Sequence, residues 1–269
     1  MRPELIYYGG HKLTEATMLD KSGEVLYFVA IRYNTIFSLN LKNLSVKSFM
    51  TDGAVGGIAY LNGDLIEAEK DGIYRFDFDS GMKQKLAHII TYNKMRYNHI
   101  ASDSRGRLLI DVIGDEERCE GKGGLYSLYD GVSRCIIGGT TVANGVCLSN
   151  DEKKLYFTDT PAQEVWSYDY NIETGEAENR NSIISYTGQP RPDGLALDDK
   201  GYLYVTEWAG GKIDIVNTET TKKEDEIVFP CKHVTSCCIR DNILYAASAK
   251  SGDEDDAEYA GGIFKMAIG

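Results

Sequence analysis

Apolar and polar residues alternate in short runs along the whole chain, and the runs come in sets. From 191 to 215 one set reads RPDGLALDDKGYLYVTEWAGGKIDI. Leu195 and Leu197 alternate with small or polar neighbours, and a polar turn follows at 198–201. A second run covers 202–207, and a Gly-rich turn at 209–211 leads into a third. Period-two alternation broken by Gly- and Asp-rich turns predicts short antiparallel strands joined by hairpins. The unit recurs. Aligned on the residue that begins the innermost strand, the copies start at Glu15, Gly57, Asn98, Asn144, Asp193 and Ser236, at spacings of 41–49 residues. Roughly ten residues on, each copy has a second strand carrying Leu26-Tyr27, Leu65-Ile66, Leu108-Leu109, Leu155-Tyr156, Leu203-Tyr204 or Leu244-Tyr245. Third strands follow, for instance over 35–39, 72–76, 124–128 and 165–168.

A repeat of about 40–50 residues with four strands per copy predicts a β-propeller. Leucine-rich repeats need a shorter period, and helical repeats need a 3.6-residue pattern that is missing here. The expectation is an all-β fold: one six-bladed β-propeller domain over residues 1–269, with four antiparallel strands per blade and no linker. The run at 262–267 reads as the third strand of the last blade. The run at 5–8 is then free to supply its outer fourth strand. That closes the ring and hides a sheet edge that would otherwise pair with other chains. Two loops are longer than the pattern, 113–123 (IGDEERCEGKG) and 251–259 (SGDEDDAEY). Each is expected to be a solvated hairpin tip or a rim over the channel mouth. For the acidic residues 253–258 the solvated tip is the expectation, because charge at a tip specifies nothing.

Composition supports many strands and tight turns, with 28 Gly and 18 Tyr against 5 Pro in 269 residues. The net charge of −12 argues against nucleic acid or an anionic membrane surface as partner, since either asks for a basic face. The opening MRPELIYYGG has no apolar core of a secretion signal, and no run reaches the length of a membrane span. The six cysteines, 119, 135, 147, 231, 237 and 238, show neither CxxC nor zinc spacing. They are expected to be reduced thiols of a cytoplasmic protein.

Function is concentrated at the inner strands. In a propeller these line the central channel, and their entry ends converge at its mouth. The six positions bring two carboxylates and two amides, Glu15, Asp193, Asn98 and Asn144, to equivalent points. Such all-oxygen sets suit hard divalent cations, and two carboxylates offset the metal's charge. Without His or Cys in the set, nothing in it selects zinc. Asn-Gly and Asp-Gly are common turn dipeptides, and any one of them alone reads as structural. Their shared register with the Leu-Tyr strand behind them is what points to a common site.

These residues also carry a resemblance. The chain resembles the regucalcin/gluconolactonase family of six-bladed propeller lactonases from Glu15 through the last blade. Thr14-Glu15-Ala16 is similar to that family's Gly-Glu-Gly opening. Residues 144–180, NGVCLSNDEKKLYFTDTPAQEVWSYDYNIETGEAENR, resemble its fourth-blade signature, and RPDGLALDDKGYLYVTEW its Pro-Asp-Gly signature. The resemblance implies that Glu15, Asn144 and Asp193 bind one divalent cation, calcium ahead of zinc, manganese or magnesium. It also implies that Arg96 and Asn98 contact substrate, a small-molecule lactone, and that Asp193 doubles as the base. The chain departs from the family at Asn98-His99-Ile100-Ala101, where Asn-Asp-Gly-Lys is usual.

His99 therefore stands where an acidic residue is expected, and it is assigned to substrate binding and specificity, not to proton abstraction. Strict alternation would turn it toward the adjacent blade, whereas a bulge would bring it into the site beside Asn98. The function implied is metal-dependent hydrolysis of a sugar-type lactone to its hydroxy acid. The cation would polarise the carbonyl and activate water, with Arg96 and Asn98 donating hydrogen bonds to substrate hydroxyls or the oxyanion. Three alternatives stand beside it. A propeller that only binds partners gives no reason for oxygen ligands in phase on several blades. A calcium-handling protein without turnover needs neither Arg96 nor Asn98. A hydrolase of another ester class remains open, although the absence of a GxSxG elbow argues against a covalent serine route.

Overall fold

Where the turn residues allow it, the strands reverse in two residues. Asn62-Gly63, Asp130-Gly131 and Asp241-Asn242 each take positive φ at both positions, as a type I′ hairpin requires. The computed structural model describes residues 2–90, 92–115, 119–251 and 259–269. It is a six-bladed β-propeller of six four-stranded antiparallel sheets, with two short 3-10 turns at Ile31–Tyr33 and Thr160–Ala162. Blade 1 comprises Thr14–Leu19, Val25–Ala30, Thr35–Asn40 and Val46–Met50. The inner strands of blades 2 to 6 are Val55–Leu61, Met95–Ser102, Ala143–Leu148, Arg191–Leu197 and His233–Arg240.

The second strands of blades 2 to 6 are Asp64–Glu69, Leu108–Gly114, Lys154–Asp159, Tyr202–Trp208 and Ile243–Ala249. The outer strands read as charged and exposed, for example Lys222–Val228, KKEDEIV, and Glu176–Ser185. Polarity thus grades from the axis to the rim. Among the described residues, six apolar clusters lie one in each seam between neighbouring blades. No helix among them is long and apolar enough to cross a membrane. All six cysteines are free thiols.

The ring closes as expected. The sixth sheet runs Glu4–Tyr8, Gly262–Ala267, Ile243–Ala249, His233–Arg240 from rim to axis, with Leu5 opposite Phe264 and Tyr8 opposite Gly262. Tyr7 of the closing strand also packs across the seam into blade 1, its ring 5.2 Å from Phe28 and 5.8 Å from Phe37. The long sequence loops fall partly outside the described residues. Of 113–123, positions 116–118 lie outside, and of 251–259, positions 252–258, so the expectations for them as hairpin tips or rim fall there.

The six aligned positions do not begin the inner strands. Each strand starts one to three residues earlier, so Glu15 and Asn144 are second in theirs, Gly57 and Asp193 third, and Asn98 and Ser236 fourth. What the positions share is an irregularity: at this level every inner strand carries one residue more than its partner. Asn98 and His99, for example, lie between the pairs Tyr97–Val112 and Ile100–Ile110, opposite Asp111 alone. A one-residue β-bulge kinks the strand and re-aims its side chains. Six of them in phase turn the mouth of the channel into a ring of re-aimed positions.

Candidate functional site

The bulges need unusual backbone. Gly145, after Asn144, has φ +46, and a Cβ there would lie 2.3 Å from the carbonyl oxygen of Asp193. A Cβ on Gly194 would lie 2.6 Å from Thr235 O. Only glycine lets the inner strands of blades 4, 5 and 6 approach this closely. Ala16, after Glu15, takes φ 53 with a side chain present, a conformation that costs an L-residue roughly 1–2 kcal/mol.

The strands deliver a connected polar set. Asp193, 3% exposed, and Glu15, 8% exposed, come from blades 5 and 1, and the charge of Glu15 reaches the Asp193 carboxyl. Burial first, and then the negative charge of Glu15, hold the Asp193 carboxyl well above its ordinary range. Burial pushes Glu15 up to about 7, against the pull of Arg96 and a hydrogen bond from the backbone N–H of Ala16. Asn144, 7% exposed, donates through Nδ2 to Asp193 Oδ1 and to Thr160 Oγ1 at 3.3 Å. Thr160 in turn donates to Pro192 O at 2.9 Å. Asn144 Oδ1 accepts from Asn98 Nδ2 at 3.2 Å. Arg96 donates through Nη1 to Asn98 Oδ1 at 2.8 Å and to Tyr97 O at 2.9 Å.

Arg96 is buried, and its charge is disfavoured there. Desolvation and the nearby positive charge of Arg32 lower its pKa to about 10, opposed by Glu15, Asp115 and Asp193. Its Nε is buried without a hydrogen-bond acceptor, although Asp115 Oδ1 lies 3.9 Å away. Of the two ends of the sequence expectation for His99, the bulge is the one found. The side chain keeps partial solvent access, yet surrounding protein desolvates it enough to lower its pKa to about 4. It is thus neutral across the physiological range.

All six named residues belong to these inner strands, and Glu15, Asp193, Asn144, Asn98 and Arg96 form one continuous cluster. Gly57 adds no side chain, and Ser236 turns aside to Thr17, its Oγ 3.2 Å from the Thr17 N–H. The sequence reading missed Thr160 and Asp115. Thr160 lies in the 3-10 turn after the second strand of blade 4, and Asp115 follows the second strand of blade 3, both off the repeat position shared by the inner strands. Nothing in their local sequence marks them.

The donor set fits a divalent cation. Two buried carboxylates that burial holds toward their protonated forms, Asp193 also by the charge of Glu15, beside two amides, ask for positive charge. Among the described residues no three His, Cys, Asp or Glu side chains gather at one point, so any cation here depends on amide oxygen as well as carboxylate. In the arrangement described, Asn144 turns its nitrogen to Asp193. A half-turn of that amide would exchange nitrogen for oxygen.

Comparison with known proteins identifies the family of the chain. A family model described as the SMP-30/Gluconolactonase/LRE-like region matches residues 13–250. Regucalcin of Bos taurus is 30% identical over 269 residues, covering 94% of this chain and 89% of that protein. The alignment with regucalcin of Oryctolagus cuniculus, 31% over 186 residues, spans 64% of this chain and 62% of the rabbit protein. YvrE of Bacillus subtilis (strain 168), whose name proposes a sugar lactone lactonase, is 27% identical over 84% of this chain and 80% of its own. Among solved structures, a regucalcin of Agrobacterium tumefaciens, described as a calcium-binding protein, superposes with a TM-score of 0.92. It shares 21% identity over 100% of this chain and 94% of that one, which speaks to the fold alone.

Proposed function

This chain belongs to the SMP-30/Gluconolactonase/LRE-like family, and on that premise we propose that it is a metal-dependent lactonase that opens a sugar-type lactone to its hydroxy acid. The observation that carries the proposal is the meeting of Glu15 and Asp193, two buried carboxylates from blades 1 and 5, with an amide–guanidinium chain from blades 3 and 4. Glu15, Asp193 and Asn144 would hold the cation. When bound, a divalent cation supplies Lewis acidity toward a carbonyl and lowers the pKa of water.

The chain's own residues do the rest. Asp193 takes the proton of the attacking water at a carboxylate oxygen. It can do so only when ionised, and positive charge beside it is what overcomes the burial and the repulsion from Glu15. Glu15 and Asp193 together bring the negative charge that calls the cation in. Arg96, fixed by Asn98 Oδ1 and Tyr97 O, aims its remaining N–H groups at substrate oxygen, where charge develops as the ring opens. Asn98 holds Arg96 on one side and Asn144 on the other. His99, neutral and partly solvent-accessible, shapes the substrate end of the site. The burial of these groups keeps bulk water from screening them.

A second reading, a calcium-binding propeller without turnover, is favoured by the carboxylate pair alone and leaves Arg96 and its unmatched Nε without a purpose. The deciding experiment is hydrolysis of a panel of lactones by purified protein, with calcium, with other divalent ions and with chelator. Turnover that chelator removes, metal restores and Asp193→Ala abolishes is the expected result. Cation binding by calorimetry with no turnover on any lactone would establish the second reading instead.

A further inference from the structure

Four buried side chains at the channel mouth form a hydrogen-bond chain that runs in one direction. Arg96 Nη1 donates to Asn98 Oδ1 at 2.8 Å, Asn98 Nδ2 donates to Asn144 Oδ1 at 3.2 Å, and Asn144 Nδ2 donates to Asp193 Oδ1. The direction is fixed by partners that act in only one sense. A guanidinium can only donate, so Asn98 must turn its oxygen to Arg96. Its nitrogen also meets the carbonyl of Ala143 at 3.2 Å, a group that can only accept. The backbone N–H of Gly145 donates to Asn144 Oδ1 at 3.1 Å, which sets the second amide the same way. Nη1 spends both of its hydrogens, one on Asn98 and one on Tyr97 O at 2.9 Å.

A cation held by Glu15 and Asp193 asks for the oxygen of Asn144, because an amide binds a hard cation through oxygen. Turning that amide over brings Asn144 Nδ2 to the place where Asn98 Nδ2 points, donor against donor. All four side chains are buried, and an unmatched N–H is costly there. The conflict is relieved when Asn98 turns over as well and offers Oδ1 to Asn144. That second turn gives up the bond to Ala143 O and sets Asn98 Nδ2 against Arg96 Nη1, again donor against donor. Arg96 then lets go of Asn98 and keeps Tyr97 O. Thr160 serves either orientation, since its hydroxyl, 3.3 Å from Asn144 Nδ2, accepts from nitrogen or donates to oxygen.

We propose that Asn98 is a positioning residue that couples the cation to the substrate: a cation that takes the oxygen of Asn144 turns both amides and frees a further N–H of Arg96 for a lactone oxygen. The proposal rests on the metal-dependent lactonase reading and adds an order to it, cation first and lactone second. Such coupling is reciprocal, so a lactone that engages this N–H tightens the cation in turn.

The test uses calcium alone as the probe, on wild type, Asn98→Ala and Asn98→Asp. Calorimetry reads the affinity. NMR of protein carrying isotope-labelled arginine reads the water exchange of the Arg96 side-chain N–H groups, assigned by their loss in Arg96→Lys. In wild type, calcium should speed that exchange. In Asn98→Ala the exchange should be fast with or without calcium. With no amide to turn against, calcium should also bind about fivefold tighter, the worth of one hydrogen bond. Asn98→Asp offers an acceptor to Arg96 and to a turned Asn144 at once, so the exchange should stay slow with or without calcium. The field of the cation acts on Arg96 in every variant, and the difference between variants therefore isolates the relay. Weaker calcium binding in a folded Asn98→Ala, as expected of an amide that merely supports the site, overturns the proposal. So does calcium that binds wild type without changing the exchange, or that changes it equally in wild type and Asn98→Asp; the lactonase reading survives either result. Should the melt show Asn98→Ala unfolded, Asn98→Asp decides alone. If none of calcium, manganese, magnesium or zinc binds wild type, the metal-dependent reading fails and the relay with it.

Discussion

Replacing Glu15 with Gln should move stability in opposite directions with and without a cation. The Glu15 carboxyl is held up to about 7 from an ordinary 4.5, chiefly by burial. A carboxyl raised in this way keeps its proton in the folded state after the unfolded chain has released it, so stability falls as pH rises through that interval and levels off above it. A rise of about 2.5 in pKa, at about 1.4 kcal/mol for each unit, sets an upper limit of about 3.5 kcal/mol at pH 8. Gln keeps the shape and carries no charge, so without cation the variant should recover much of that loss. For a chain of this size the gain corresponds to roughly 5–10 °C in melting temperature.

With calcium in excess the order reverses. A cation that binds only the folded state at a hundred times its Kd contributes about 2.7 kcal/mol, and a weakened site forfeits that contribution. Differential scanning calorimetry at pH 5 and pH 8, in chelator and in calcium, reads the whole pattern. In chelator the variant should gain over wild type at pH 8 and gain little at pH 5, and in calcium at pH 8 it should melt below wild type. A variant that melts below wild type in chelator at pH 8, or an equal calcium response in both proteins, would refute the account of the carboxylate pair.

Other consequences are simpler to check. Deleting residues 2–9 removes the strand paired with Gly262–Ala267 and the Tyr7 contacts to blade 1. It should lower the melting temperature by more than about 10 °C, and an unchanged melt would refute the closure argument. Thr160→Val removes the acceptor that steadies Asn144 and should weaken cation binding about tenfold with the fold intact; calorimetry showing no change would mean that Thr160 does not position the ligand. His99→Asp should reorder the preferred lactones while turnover stays measurable. Because the His99 pKa is about 4, His99→Asn should leave the pH–rate profile unchanged between pH 5 and 8, and a lost limb there would mark His99 as the base.

The fold was legible in the sequence because each blade repeats one local pattern. Leu26, Leu65, Leu155 and Leu203, read as second-strand markers, all lie buried in the seams, where two blades must meet on apolar faces. The closing strand was legible because a propeller with a third strand at 262–267 needs a partner for it. The site was legible only as a register. Alignment placed Glu15, Asn144 and Asp193 at one level, but it put them at strand starts, where the structure has bulges.

A bulge is a difference in hydrogen-bond count between two strands, and no single residue encodes it. Gly145 and Gly194 hinted at it, whereas Ala16 takes the positive φ of Gly145 without a glycine to show it. The partners of Thr160 and Asp115 depend on which blades stand side by side at the mouth. That proximity arises from the ring, not from any stretch of chain.

The closing strand also governs how this protein is made. Blades 1 to 5 each pair strands that follow one another in the chain, and such local hairpins can form as soon as they are synthesised. Blade 6 is different, because Glu4–Tyr8 pairs with Gly262–Ala267. Glu4–Tyr8 must wait, with its edge unpaired, until Gly262–Ala267 has been synthesised. Throughout that time the blades form an open arc with an unpaired strand beside blade 1, the kind of edge that recruits other nascent chains. Closure is therefore a single late event of long sequence separation, and the step at which slow folding and aggregation compete.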